Sequence, residues 1–370
     1  MFRISTNHIS EGMVVGRNIT DVNGRVLLTA GQVLNSRYIQ RLRAFNIKYI
    51  YIQDDLDIIE PVPVVRPATI SKATASFKRC YDQCLKTGKV NVQTVQSQVD
   101  NIIKDLMSNN DIMFGMAEVK EYDNYTYEHS VNVCILSLVL GISQDYSKLR
   151  LQALGIGSML HDIGKIKIPL EIINKPSALT YEEFIEVKKH PLTGYNIATE
   201  SNDLPRGAAQ AILQHHEHID GRGYPRGIDY TDIHEYGLIV AVADVFDALI
   251  TDRPYRRAFS NYEAIQMIQQ KTGTHLSKRF VDALLRHVNL YPPGTVMVLS
   301  NEDMALVTQE NPADKNRPQL KLMFDANGKA YEMDNVMDLA EHKDISITKV
   351  LGTEEAESNL AKFLQIHKSG

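Results

Sequence analysis

The chain has 370 residues, long for one domain, and its 44% hydrophobic and 23% charged content is that of a globular protein with ample core. A formal net charge of −5 excludes broad, nonspecific binding to DNA or RNA, while leaving room for a local basic pocket that takes a small anion. The N-terminus lacks the apolar stretch of a signal peptide, and the longest apolar run, Cys134 to Ile142, is too short to span a bilayer. A cytoplasmic protein with no membrane association is therefore expected.

Residues 1–60 read as a small α/β module. Asn23-Gly24, flanked by strand formers, predicts a hairpin turn. Ser36 is placed to cap a short helix through Ala44, and Lys48 to Ile52 reads as a closing strand. No catalytic cluster falls here, so a regulatory role is expected. Residues 61–70 form a linker, because three prolines between Pro61 and Pro67 oppose both helix and central strand. From 71 to 290 the apolar period is helical. Cys80 and Cys84 share a helix face without forming a CxxC motif and, with Cys134, read as reduced, packed thiols. Thr180 to Glu183 and Ser260 to Glu263 both fit the capping box, and His190-Pro191 puts proline in a first helical turn. Residues 291–350 read as a small antiparallel β appendage, with strands at 295–299, 305–308 and 320–324 and a turn at Asn327-Gly328; a polar helical tail occupies 351–370. The fold class expected is mainly α.

Chemistry concentrates in the helical region. Asp244 lies in the run Leu238 to Ile250, apolar nearly all round, where an ionised carboxylate costs several kcal/mol unless paired or metal-bound. Asp247, three residues on, shares its face; a purely structural pairing of either with Arg253 or Arg256 stays open. His129 precedes another continuous apolar run, and His161-Asp162, His190 and the vicinal His215-His216 complete the set. Each alone is compatible with a satisfied core residue. Together they are a cysteine-free set of imidazoles and carboxylates, which suits iron, manganese, zinc or nickel and weakens a structural-zinc reading. An aspartate directly after a histidine can bridge two ions, which at a separation of about 3.5–4 Å would activate a bridging hydroxide for in-line attack on phosphorus.

The stretch His215-His216-Glu217-His218-Ile219-Asp220-Gly221-Arg222-Gly223-Tyr224-Pro225, with His161 to Ile166, resembles the HD-GYP domain, a branch of the HD phosphohydrolases that hydrolyses cyclic dinucleotides. The resemblance covers about residues 110–290 and implies a cytoplasmic cyclic-di-GMP phosphodiesterase of bacterial signalling. It implies two divalent ions, iron favoured and manganese second, held by His129, His161, Asp162, His190, His215, His216 and Asp244, with Asp162 as the bridge. Some members carry a glutamate four residues before the first histidine and assemble three metals; Tyr125 stands there in this chain. The resemblance also places Lys165 beside the substrate phosphate and makes Gly221, Tyr224, Asp247, Arg253 and Arg256 substrate contacts. A homodimer and signalling partners docking on the Gly-Tyr-Pro loop are compatible with it. The alternatives are a catalytically weak cyclic-di-GMP receptor and, further off, a di-iron oxygenase.

Overall fold

A computed structural model describes the chain except residues 1, 21–25, 46, 48, 54–55, 57, 59–62, 109–124, 176, 202, 252–257, 312–313 and 369–370. It divides into two units, one of Met1–Pro61, Ser260–Tyr262 and Leu290–Gly370, the other of Val62–Phe259 and Glu263–Asn289.

In the first unit β1 (Phe2–Ser5), β2 (Val14–Val15), β3 (Ile19–Thr20), β4 (Val26–Leu28), α1 (Ser36–Ala44) and β5 (Tyr49–Gln53) come from the N-terminus. Antiparallel pairing gives the order β1-β5-β2, and β3 pairs with β4. The Asn23-Gly24 turn expected between those two strands lies outside the described residues. Alternation along β5 buries Ile50 and Ile52, as period-2 geometry requires of a strand with one covered face. The cap of α1 is Asn35 rather than Ser36: its side chain accepts from the Tyr38 amide at 2.9 Å.

The C-terminal residues of this unit supply β6 (Val296–Leu299), β7 (Met304–Gln309), β8 (Gln319–Phe324), β9 (Val336–Asp338) and β10 (Ile347–Val350), an antiparallel sheet in the order β10-β6-β7-β8-β9. The last helix, α13 (Thr353–Lys368), is not a polar tail, since it buries Leu360, Ala361, Phe363 and Leu364 and sets Phe363 edge-on to Phe324. Ile4, Val15, Leu34, Ile50 and Ile52 share one hydrophobic cluster with Val296, Met323, Phe324, Leu360 and Phe363. The N-terminal module and the C-terminal sheet are therefore one folded body, not the two separate pieces that local sequence pattern suggests.

The second unit is helical: α2 (Pro67–Thr87), α3 (Val92–Ser108), α4 (Tyr125–Ile142), α5 (Lys148–Met159), a 3-10 helix (Ile163–Lys167), α6 (Leu170–Ile173), α7 (Tyr181–Val187), α8 (His190–Thr199), α9 (Arg206–Gln214), α10 (Glu235–Ile250), α11 (Asn261–Lys271) and α12 (Lys278–His287). Pro67, expected in the linker, opens α2; at that position its missing N–H costs nothing. Asp105 of α3 secures this start, accepting from the Arg66 amide at 3.2 Å and from Arg66 Nη2 at 2.7 Å. Thr180 and Glu183 form the expected capping box at α7. Helices α4, α5, α9 and α10 pack on one another and carry most of the chemistry. In α4, residues 133–141 are all buried, as an all-apolar helix demands. The three cysteines are buried free thiols. Among the described residues no helix is long and apolar enough to cross a membrane.

Candidate metal centre

Seven side chains separated by up to 115 positions meet within this helical unit. His129 lies one turn into α4; His161 and Asp162 follow the C-terminus of α5; His190 is the first residue of α8; His215 caps the C-terminus of α9, with His216 next to it; Asp244 projects from α10. Their donor atoms fall into two groups, each within 4.8 Å: His129, His161 and Asp244, and Asp162, His190, His215 and His216.

Asp162 joins the groups. Its Oδ2 lies 3.4 Å from His161 Nε2 and 3.8 Å from His129 Nε2, while its Oδ1 lies 3.2 Å from His190 Nε2 and 4.0 Å from His215 Nε2. One carboxylate thus presents one oxygen to each group. The juxtaposition depends on Gly164. A Cβ on Gly164 would sit 2.0 Å from the His190 carbonyl oxygen and 2.5 Å from the Gly194 amide, so only glycine lets the 3-10 helix carrying Asp162 lie against α8.

The imidazoles are held ready to ligate. Nδ1 of His161 donates to Ser158 O at 2.7 Å, that of His190 to Val187 O at 2.7 Å and that of His215 to Ile212 O at 2.9 Å. His129 Nδ1 donates to Asp247 Oδ2 at 2.6 Å. Each bond fixes a proton on Nδ1 and turns Nε2 inward, the orientation metal-bound histidines require. Burial, with the charges of the neighbouring imidazoles, pushes His215 well below its ordinary value; His216 falls to about 3, chiefly through burial. Both are neutral, the ligating form. His129 differs: burial works against its charge, but Asp244 and Asp247 on either side raise it to about 10. Burial opposes ionisation of Asp162 and Asp244 as well, yet nearby Lys165 and His161 for the first, and His129 for the second, hold both well below the carboxylate range. His161 Nε2 and Asp162 Oδ1 are buried without a hydrogen-bond partner. Such atoms are costly unless something else satisfies them. A pair of divalent cations fits the neutral His215 and His216, the ionised Asp162 and Asp244 and the two orphaned atoms, and His129 would shed its second proton to join them.

Around the centre, Lys165 Nζ donates to Asp162 Oδ2 at 2.5 Å. Tyr224 stacks on His216, with centroids 4.7 Å apart and planes at 26°. Its loop is tightly made: Gly221 has φ +77°, and a Cβ on Gly223 would meet the His218 amide at 2.2 Å. Asp247, expected as a substrate contact, is instead fully buried and engaged with His129 and, at 3.4 Å, with the Thr251 hydroxyl. It faces the interior behind His129. Arg253 and Arg256 lie outside the described residues.

Glu217 has a role that the sequence reading misses. Its buried carboxylate accepts from the amides of Arg226 (2.7 Å), Gly227 (3.0 Å) and Ile228 (3.3 Å), closing the loop that carries Tyr224. An acid directly after two site histidines and before a glycine-rich stretch is the only local signal for it.

The HD domain family matches residues 104–279, and a KOW domain associated with HD domains matches 296–359. A cyclic di-GMP phosphodiesterase of Pseudomonas aeruginosa is 29% identical over 288 residues, 78% of this chain and 69% of that protein. One of Thermotoga maritima is 38% identical over 182 residues, 48% of this chain and 50% of that protein, so the chain spans only about half of its length. Among solved structures, an HD-GYP-like protein of Bdellovibrio bacteriovorus superposes with a TM-score of 0.49 at 19% identity, covering 76% of this chain and 97% of that one.

Proposed function

The chain belongs to the HD domain family, and on that premise we propose that it is a metal-dependent phosphodiesterase that opens cyclic-di-GMP to linear pGpG and, in a second round, releases GMP. The observation that carries the proposal is the Asp162 carboxylate divided between two groups of inward-facing imidazoles. The names of the P. aeruginosa and T. maritima relatives support the same substrate.

His129, His161 and Asp244 would hold one divalent ion and His190, His215 and His216 the other, with Asp162 shared between them. Iron first and manganese second are the metals that the family resemblance favours, and nitrogen and oxygen donors without thiolate are compatible with both. Bound there, the two ions supply an activated water and neutralise charge on the phosphodiester. The protein's own groups do the rest. Asp247 holds a proton on His129 Nδ1 from behind and so turns Nε2 toward Asp244, 3.1 Å away. Lys165, 29% exposed beside a nearly buried Asp162, brings an ammonium to where negative charge grows on the phosphate. The loop at Gly221 and Tyr224 forms one wall, braced by Glu217. Arg253 and Arg256 are assigned to substrate phosphate or guanine, since guanidinium pairs bidentately with both.

Anaerobically purified, metal-loaded protein is expected to convert cyclic-di-GMP to pGpG, followed by chromatography of the products. Absence of any turnover, with both metal groups filled, would refute the activity.

A further inference from the structure

Lys188 is a cation that the reaction, as described, leaves unused. It follows α7 and stands two residues before His190. Its neighbours on this surface are neutralised: Lys175 pairs with Glu183 at 2.6 Å, and Lys189 pairs with Glu186. Lys188 has no ion pair among the described residues. Its ammonium lies instead between two rings, 4.7 Å from the centroid of Phe184 and 5.3 Å from that of Tyr224. Tyr224 in turn stacks on His216, a residue of the metal centre. A cation held by aromatic faces is pre-positioned without being neutralised, because the rings take none of its three N–H donors away from an incoming anion.

The geometry points to Lys188 as a second phosphate-binding position, for the phosphodiester of a cyclic dinucleotide that is not being cleaved. This assignment rests on the phosphodiesterase reading above. Such a substrate carries two phosphodiesters on one ring. When one occupies the centre at Asp162 beside Lys165, the other lies to one side, and the line His216, Tyr224, Lys188 runs outward from that centre. Lys188 is half-buried and Phe184 is 42% exposed, so the position is open to solvent and to a ligand. An ammonium there rewards substrates with two phosphates over those with one, and so sets specificity rather than rate.

The test is Lys188→Gln, with Lys189→Gln as the neighbouring control. Equilibrium binding of cyclic-di-GMP to the metal-stripped full chain should weaken about 10-fold in Lys188→Gln, the loss of one charge-assisted contact of about 1.4 kcal/mol. In metal-loaded protein, KM for cyclic-di-GMP should rise by a similar factor and much more than kcat falls. The ratio of kcat/KM for cyclic-di-GMP to that for bis(p-nitrophenyl) phosphate, which has one phosphodiester, should drop about 10-fold. Lys188→Arg should restore most of the binding, and Lys189→Gln should match the parent. Equal losses on both substrates would mean that Lys188 acts only by bracing Tyr224, overturning the assignment; so would unaltered binding in Lys188→Gln. If the parent protein hydrolysed neither substrate while holding its metals, the phosphodiesterase reading itself would fail, an outcome distinct from either.

Discussion

Replacing Gly164 by alanine perturbs the joint on which the two metal groups depend. The added methyl would lie 2.0 Å from the His190 carbonyl oxygen and 2.5 Å from the Gly194 amide, against an ordinary contact of 3.4–4 Å. Both obstacles are backbone, so no rotamer change relieves the overlap. The 3-10 helix and α8 must move apart by more than about 1 Å, and overpacking of this kind costs about 1–3 kcal/mol of stability. The same movement pulls His190 Nε2 away from Asp162 Oδ1, now at 3.2 Å. A misplacement of about 1 Å near reacting groups lowers turnover roughly 100-fold. Thermal unfolding of the metal-free protein and anaerobic metal titration read the two effects separately. The melting temperature should fall, and the Asp162, His190, His215 and His216 group should lose its ion before the other group does. Gly194→Ala, whose Cβ would lie 3.1 Å from the Gly164 amide, should be milder on both measures. A Gly164→Ala protein that melts like the parent and holds two ions as tightly would refute the reasoning.

Asp247→Asn keeps the shape behind His129 but removes the charge, and should weaken metal at the His129, His161 and Asp244 group by about 10- to 100-fold in a competition titration. Glu217→Gln replaces an acceptor of three backbone amides by a group that presents N–H to some of them; hydrogen exchange at Arg226, Gly227 and Ile228 should quicken while metal content holds. Asp105 supplies a pH dependence. Burial favours its neutral form, but the hydrogen bonds from Arg66 outweigh this and lower its pKa, so its contribution to stability is full above the ordinary value of 3.8 and is lost as pH falls through the depressed one. Asp105→Asn should therefore melt earlier than the parent at neutral pH, with the difference closing below pH 3.8.

What could be read from the sequence was what chemistry makes conspicuous. Asp244 in an apolar helix and His129 at the head of another are anomalies that burial makes expensive, so they announce a partner before the partner is known. The capping box at Thr180 and the first three strands of the C-terminal sheet follow from local preference and lie where pattern places them, whereas β9 and β10 are not legible. The rest depends on contacts between distant residues. Gly164 looks like any glycine at a helix end until α8 lies against it. Asp247 shares a helix face with Asp244, as its spacing requires, but that the two carboxylates grip opposite nitrogens of His129 depends on where α4 lies against α10. The common core of the two chain ends, Ile4 and Ile52 with Phe324 and Phe363, leaves no trace in local periodicity, because amphipathic strands and helices announce a buried face without saying what covers it.

The central claim is that one carboxylate ties two ions into a single hydrolytic centre. Metal content and cyclic-di-GMP turnover measured on the same anaerobic samples of the parent and of Asp162→Ala test it most directly. Two ions per chain with turnover in the parent, and loss of both ions together with activity in Asp162→Ala, are the predicted results. An Asp162→Ala protein that retained two tightly bound ions would contradict the bridge, whatever its activity.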